Sequence, residues 1–148
     1  PWTTIIWYGI CDYDRRKHHM VDFWVIETSP KIDISLKLLE IGTDLCNIIK
    51  NYKPERCAVE KLFFNTNITT WIAVSHARWV ILYECIKAWV TLYEYTPLQI
   101  KKWLTGNGQA KKTQVQKALM MLLGLSELPK PDDAADALAI AYLASLEK

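Results

Sequence analysis

The sequence has no paired cysteines. Cys11, Cys46, Cys57 and Cys85 are scattered, none in a C-x-x-C spacing, and each lies in or beside an apolar segment. That pattern argues against a disulfide scaffold or a cysteine zinc site and reads as buried free thiols. A reducing compartment is then expected, with the cytoplasm as the location. No uninterrupted apolar run reaches the roughly 18 residues of a membrane span. No signal peptide is visible, and because the chain opens at Pro1 without a Met, its natural start is expected to lie upstream. No repeat, low-complexity tract or linker interrupts it, so a single domain over residues 1–148 is expected. Neither sign of charge dominates: 18 Lys and Arg against 16 Asp and Glu leave a net charge of +2. That balance neither demands nor excludes nucleic acid, so the placement of the charges must decide.

What is present is an ordinary globular balance, 51% hydrophobic and 23% charged over 148 residues, enough for a sizeable core. Thr3 to Cys11 and Met20 to Thr28 are β-rich runs around the charged stretch Asp12 to His19, which predicts an antiparallel hairpin. Ile34, Leu38, Ile41, Leu45, Ile48 and Ile49 recur at helical spacing within Asp33 to Asn51. Cys57-Ala58-Val59 is a short apolar run ending in Glu60, which fits an inner strand. Asn65, Thr66 and Asn67 offer N-caps to a long helix, Thr69 to Trp89, apolar over much of its circumference and so expected to be covered on two sides. Val90 to Tyr95 reads as a strand, and Pro97 to Leu104, Lys111 to Leu123 and Asp132 to Leu146 as helices, with Gly124 as a cap. The order β-β-α-β-α-β-α-α-α signals an α/β domain with a mixed sheet.

The chemistry concentrates near the end of the chain. Asp133 and Asp136 are three apart in a helix, so they share a face, with Cβ atoms about 5–6 Å apart. Ala134, Ala135, Ala137 and Ala139 surround them and allow a close approach to a sheet or ligand. Helix-dipole chemistry alone explains an acid in a first turn, and Asp132 is assigned only that role. Glu60 ends an apolar strand at the carboxyl edge, where α/β sheets place ligands. If the three acids converge they form a hard oxygen-ligand site suited to Mg²⁺ or Mn²⁺. Two such ions about 3.5–4 Å apart serve phosphodiester hydrolysis. His18, His19 and His76 form no cluster that argues for another metal. Lys111 and Lys112 follow a Gly-containing loop, which suits phosphate contact and equally a solvated helix start; for Lys101, beside Lys102, the solvated reading is the favoured one. Phe63 and Phe64 after the strand end could stack on bases or fill the core, with Phe64 the candidate for packing.

The run Asp133-Ala134-Ala135-Asp136-Ala137-Leu138-Ala139-Ile140-Ala141 resembles the RuvC-type Holliday junction resolvases. Ala58-Val59-Glu60-Lys61-Leu62-Phe63, Ser75-His76-Ala77-Arg78, Glu94-Tyr95-Thr96-Pro97 and Lys111-Lys112-Thr113-Gln114-Val115-Gln116 fit the same family in order and spacing, over nearly the whole chain. The resemblance implies an RNase H-like fold, a mixed five-stranded sheet flanked by helices. It implies a homodimer that cuts four-way DNA junctions with Mg²⁺, two ions per site, alongside junction-binding and branch-migration proteins. It makes Glu60, Asp133 and Asp136 metal ligands and Lys112 a catalytic cation. Phe63, Arg78, Lys101, Lys111, Lys112 and Gln114 become DNA contacts, and the helix from Thr69 to Trp89 the dimer interface.

Two features depart from the family pattern. The family opens with a strand ending in Asp and a Pro-Gly turn. This sequence starts at Pro1, so three of four expected carboxylates are in hand. Asp12 and Asp14 lie in the far turn of the hairpin and substitute poorly. Trp2, Trp7, Trp24, Trp71, Trp79 and Trp89 also stand where the family usually has Gly. The second reading these departures raise is a junction-binding module with impaired catalysis.

Overall fold

The structure, a computed structural model, describes residues 4–61 and 68–147, and of residues 68–71 the backbone alone. The elements are β1 (Ile5–Tyr13), β2 (His18–Glu27), α1 (Ile34–Tyr52), β3 (Arg56–Glu60), α2 (Ile68–Lys87), β4 (Thr91–Tyr95), α3 (Pro97–Thr105), α4 (Lys112–Leu123) and α5 (Asp132–Leu146). Their order is the one the sequence predicts, in a mixed α/β chain. Phe63, Phe64 and the caps at Asn65, Thr66 and Asn67 lie outside the described residues, as do Trp2 and the side chain of Trp71. Among the described residues no helix is long and apolar enough to cross a membrane.

The five-stranded expectation is met only in part. The described residues hold four strands in two pairs, β1 with β2 and β3 with β4. The β1–β2 connection is four residues, too short for anything but an antiparallel pair. It is tighter than predicted because Tyr13 and His18, polar enough to read as turn, stack on each other across it at 4.4 Å. In the second pair, Thr91 N–H donates to Glu55 at one end and Lys61 N–H to Tyr95 at the other, which sets β3 and β4 parallel.

Contacts divide the chain into two compact units. The first holds residues 1–6, 26–57 and 62–92, and its centre is α1 against α2. Asp33 caps α1 by accepting from Ser35 N–H, and Lys53 ends it in the left-handed region. Of the periodic positions in α1, Ile41 is fully buried, Leu38, Leu45, Ile48 and Ile49 are half-buried, and Ile34 is exposed. Gly42 lies against Val80 of α2. Thr28 is buried beside Thr4, which it holds by two hydrogen bonds of 2.9 and 3.0 Å. The cysteines are all free, as expected, but only Cys85 is fully buried. Cys46, Cys57 and, in the second unit, Cys11 are half-buried.

The second unit holds residues 7–25, 58–61 and 93–148. Its core joins Tyr95, Ile100, Leu104, Val115, Leu119, Leu123, Leu138 and Leu143, with Cys11, Met20 and Ala58 packed against it. Thr96 and Gln99 form a capping box on α3, and Gly106 and Gly124 end α3 and α4 in the left-handed conformation that glycine takes without strain. In α5 the small residues do what the sequence suggested: Ala134, Ala135 and Ala139 are buried. A Cβ on Gly9 of β1 would fall 2.9 Å from both the Cα and the backbone nitrogen of Leu138. Strand and helix backbones therefore touch, which fixes the start of α5 against the sheet.

Candidate functional site

The second unit carries Glu60, Lys112, Asp133 and Asp136, and with them Lys101, Lys111 and Gln114. Glu60 is the last residue of β3, and the next residue, Lys61, is tied to Tyr95 of β4 by a 2.8 Å hydrogen bond. Asp133 and Asp136 are exposed on the first turns of α5, a helix held down by its buried alanines. Lys112 opens α4, and its Nζ lies 3.3 Å from Asp136 Oδ2 and 3.4 Å from Asp132 Oδ2. Gln116 Nε2 donates to the other oxygen of Asp132 at 3.2 Å.

The electrostatics join the pieces. Burial pushes the Glu60 carboxyl above its ordinary value, and the negative charge of Asp136 pushes it further in the same direction. Partial loss of water lowers the Lys112 ammonium, but the carboxylates of Asp136 and Asp132 outweigh it and hold the group above the usual lysine value. Two carboxylates that repel and a lysine beside them make a site that favours positive charge.

The charge of Asp136 thus reaches Glu60 at the end of β3, and Asp133 lies on the same turn of α5 as Asp136. Among the described residues, no three His, Cys, Asp or Glu side chains are grouped closely enough to hold a metal ion. The Lys112 ammonium lies between Asp132 and Asp136. The donor set itself is all carboxylate oxygen, which suits a hard divalent ion.

The other candidates separate. Lys111 and Gln114 are exposed at the start of α4. Gln114 has a structural task there: its side-chain oxygen accepts from Lys111 N–H at 2.8 Å and caps the helix. Lys101 is half-buried on α3 and makes no ion pair with these carboxylates among the described residues. Arg78 is half-buried on α2, in the first unit. Asp132 does more than the dipole role the sequence assigned it, since it binds both Lys112 and Gln116. No spacing rule could have found that link, because its partners lie on a different helix.

The sequence pattern of the family described as "Crossover junction endodeoxyribonuclease RuvC" matches residues 1–143. The crossover junction endodeoxyribonuclease RuvC of Caldicellulosiruptor saccharolyticus is 47% identical over 142 residues, covering 95% of this chain and 86% of that one. The protein of the same name from Halothermothrix orenii is 46% identical, with the same two coverages. In three dimensions the chain is similar to Thermus thermophilus RuvC, with a TM-score of 0.85 at 31% identity over 93% of this chain and 85% of that one. It is also similar to T. thermophilus RuvC in complex with a Holliday junction substrate, with a TM-score of 0.83 at 32% identity over 90% and 81%. With nearly its whole length matched in both sequence and fold, the chain belongs to the RuvC family of crossover junction endodeoxyribonucleases.

Proposed function

We propose that this chain cuts four-way (Holliday) DNA junctions by divalent-metal-dependent phosphodiester hydrolysis. The observation that carries the reading is Lys112 Nζ 3.3 Å from Asp136 Oδ2 at the start of α5, in the same compact unit as the strand-ending Glu60. Glu60, Asp133 and Asp136 would hold Mg²⁺, or Mn²⁺ in its place, with two ions per site. The bound metal supplies charge neutralisation at the scissile phosphate and a water made nucleophilic at neutral pH.

The chain's own residues have distinct tasks in this reading. Asp133 and Asp136 lie on a helix that cannot shift without moving Gly9, so their oxygens stay fixed at the edge of the sheet. Lys112, which stands between Asp132 and Asp136, would offer its ammonium to the phosphate beside the cut. Lys101, Lys111, Gln114 and Arg78 contact the DNA backbone around it, and Phe63 stacks on a base near the crossover.

The wider reading follows the family. The fold is a single RNase H-like domain with a five-stranded sheet, working as a cytoplasmic homodimer alongside junction-binding and branch-migration proteins. The two sites of the dimer nick strands of like polarity.

The test is a mobile four-way junction incubated with the protein and Mg²⁺. Paired nicks near the crossover are expected, and Asp136→Asn should slow them roughly 10²-fold or more, the several kcal/mol that a metal's charge stabilisation supplies. Salt-sensitive binding with intact DNA, in both Mg²⁺ and Mn²⁺, would instead establish the binding-only reading, which no observation favours at present.

A further inference from the structure

The turn between β1 and β2 carries Arg15, Arg16 and Lys17 in succession, all exposed. Among the described residues none of the three is salt-bridged to a carboxylate of another element. The nearest acid, Asp14, is spent on the turn itself. One of its oxygens accepts from Arg16 N–H and Lys17 N–H, each at 2.9 Å, and the other meets His19 Nε2 at 3.0 Å. Those bonds draw the Asp14 carboxyl down to about 2, the backbone donors leading, so it stays ionised and engaged. Arg15 sits in the left-handed region at φ 71, which turns its side chain away from the strands' own pleat.

The turn is also anchored. His18 stacks on Tyr13 at 4.4 Å, meets the edge of Tyr142 at 4.9 Å, and its Nδ1 lies 2.8 Å from Ser145 Oγ. Burial first, and His19 second, hold the His18 imidazole below its ordinary value. Lys17 Nζ lies over Gly124, where a Cβ would fall 2.6 Å away. The ammonium thus rests by the carbonyl end of α4, a favourable place for a cation. The tip is a fixed cationic knob on the body of the second unit.

Its distance from the candidate site follows from α5. Asp136 lies near the start of that helix, and Ser145, which meets His18, is nine residues further on. At 1.5 Å per residue the separation along the helix is about 14 Å. Along α4, Lys17 at Gly124 is twelve residues, about 18 Å, from Lys112 beside Asp136, so at 3.4 Å per base pair the knob is about four to five base pairs from the carboxylates. We propose that Arg15, Arg16 and Lys17 form a second phosphate-binding surface that grips a double-helical arm of the DNA about four to five base pairs from the cut. The assignment rests on the DNA-cutting reading above, and its test separates the two.

Binding of a four-way junction with long arms is measured over a range of salt for the wild-type protein and for Arg15→Gln/Arg16→Gln/Lys17→Gln. Each phosphate contact contributes about 0.9 to the slope of log affinity against log salt, so the variant's slope should be shallower by roughly 2–3. Its affinity near 0.1 M salt should fall about tenfold, while the nicking rate at saturating protein stays within about twofold. Junctions with arms of about three base pairs, which cannot reach the knob, should erase the difference. Should the triple variant fold poorly, Arg15→Gln/Arg16→Gln keeps Lys17 over Gly124 and every hydrogen bond of Asp14, and a slope change of about 2 is expected. Equal slopes and affinities for wild type and variant, or a loss that persists on the short-armed junction, overturn the proposal. A wild-type protein that binds but never nicks sinks the cutting reading, and the slope comparison still decides this one. A wild-type protein that binds no DNA overturns both.

Discussion

Two residues show how local chemistry sets testable stability. Trp89 follows α2 with φ 59 and is 95% exposed. The hydrogen bonds from Trp89 N–H to Ile86 and from Val90 N–H to Cys85, both 3.0 Å, satisfy the last carbonyls of the helix. That is a helix-ending position in the left-handed region, where a side chain costs on the order of 1 kcal/mol and glycine costs little. Trp89 buries almost nothing in compensation. Trp89→Gly is therefore expected to raise the melting temperature by about 2–4 °C, and an equal or lower value in a thermal melt would show that the ring stabilises the fold. Glu60 offers a second case. Its carboxyl is raised above 4.5 by burial and by Asp136. A group raised on folding contributes stability below its unfolded pKa and loses it as pH rises through the folded value. At pH 7, without metal, Glu60 is thus a liability, and Glu60→Gln should melt higher there, with the gain gone near pH 4. A gain that persists at pH 4 would mean that repulsion is not the cause. Asp136→Asn is the poorer probe of repulsion, because it also breaks the ion pair with Lys112.

At the scale of elements, the close approach of β1 to α5 controls where the acids sit. Gly9 has no room for a methyl group, since a Cβ there would fall 2.8 Å from Leu138 Cδ2 and 2.9 Å from two backbone atoms of Leu138. Gly9→Ala must push α5 outward and is expected to cost about 1–3 kcal/mol, read by denaturant unfolding. Because Asp133 and Asp136 ride on that helix, nicking should fall even in the folded fraction; full activity per folded molecule would mean the helix start moves independently. The elements themselves were largely legible. Strand alternation, helical spacing, Pro97 and Gly124 put every helix and strand within a few residues of its place. The hairpin was misjudged by two residues a side, because Tyr13 and His18 look polar in sequence but stack across strands. The i, i+3 pair Asp133 and Asp136 was legible because helix geometry fixes it. The Glu60–Asp136 coupling and the Lys112–Asp132 bridge depend on how the chain returns on itself, and no local pattern encodes that.

For the whole molecule, the informative feature is apolar surface left in the open. Ile72, Trp79, Tyr83 and Ile86 of α2 are each more than half exposed. At 100° per residue these four positions fall within about 60° of one another, one continuous stripe down the helix. The sequence showed that α2 was apolar nearly all round, and the fold shows that α1 covers one side of it. A stripe of this kind on a helix surface marks a contact with another molecule. A second copy of the chain is the partner the proposed function requires, since two nicks of like polarity need two sites. A charge placed in the stripe would have to be desolvated in such an interface, which costs several kcal/mol, yet it would be harmless on an exposed helix face. Tyr83→Asp/Ile86→Asp is therefore expected to leave the melting curve of the separated subunit intact while shifting sedimentation from dimer to monomer. The monomer should then bind junctions more weakly and make unpaired nicks. A wild-type chain that sediments as a monomer at micromolar concentration, or a double variant that remains dimeric, would place the interface elsewhere.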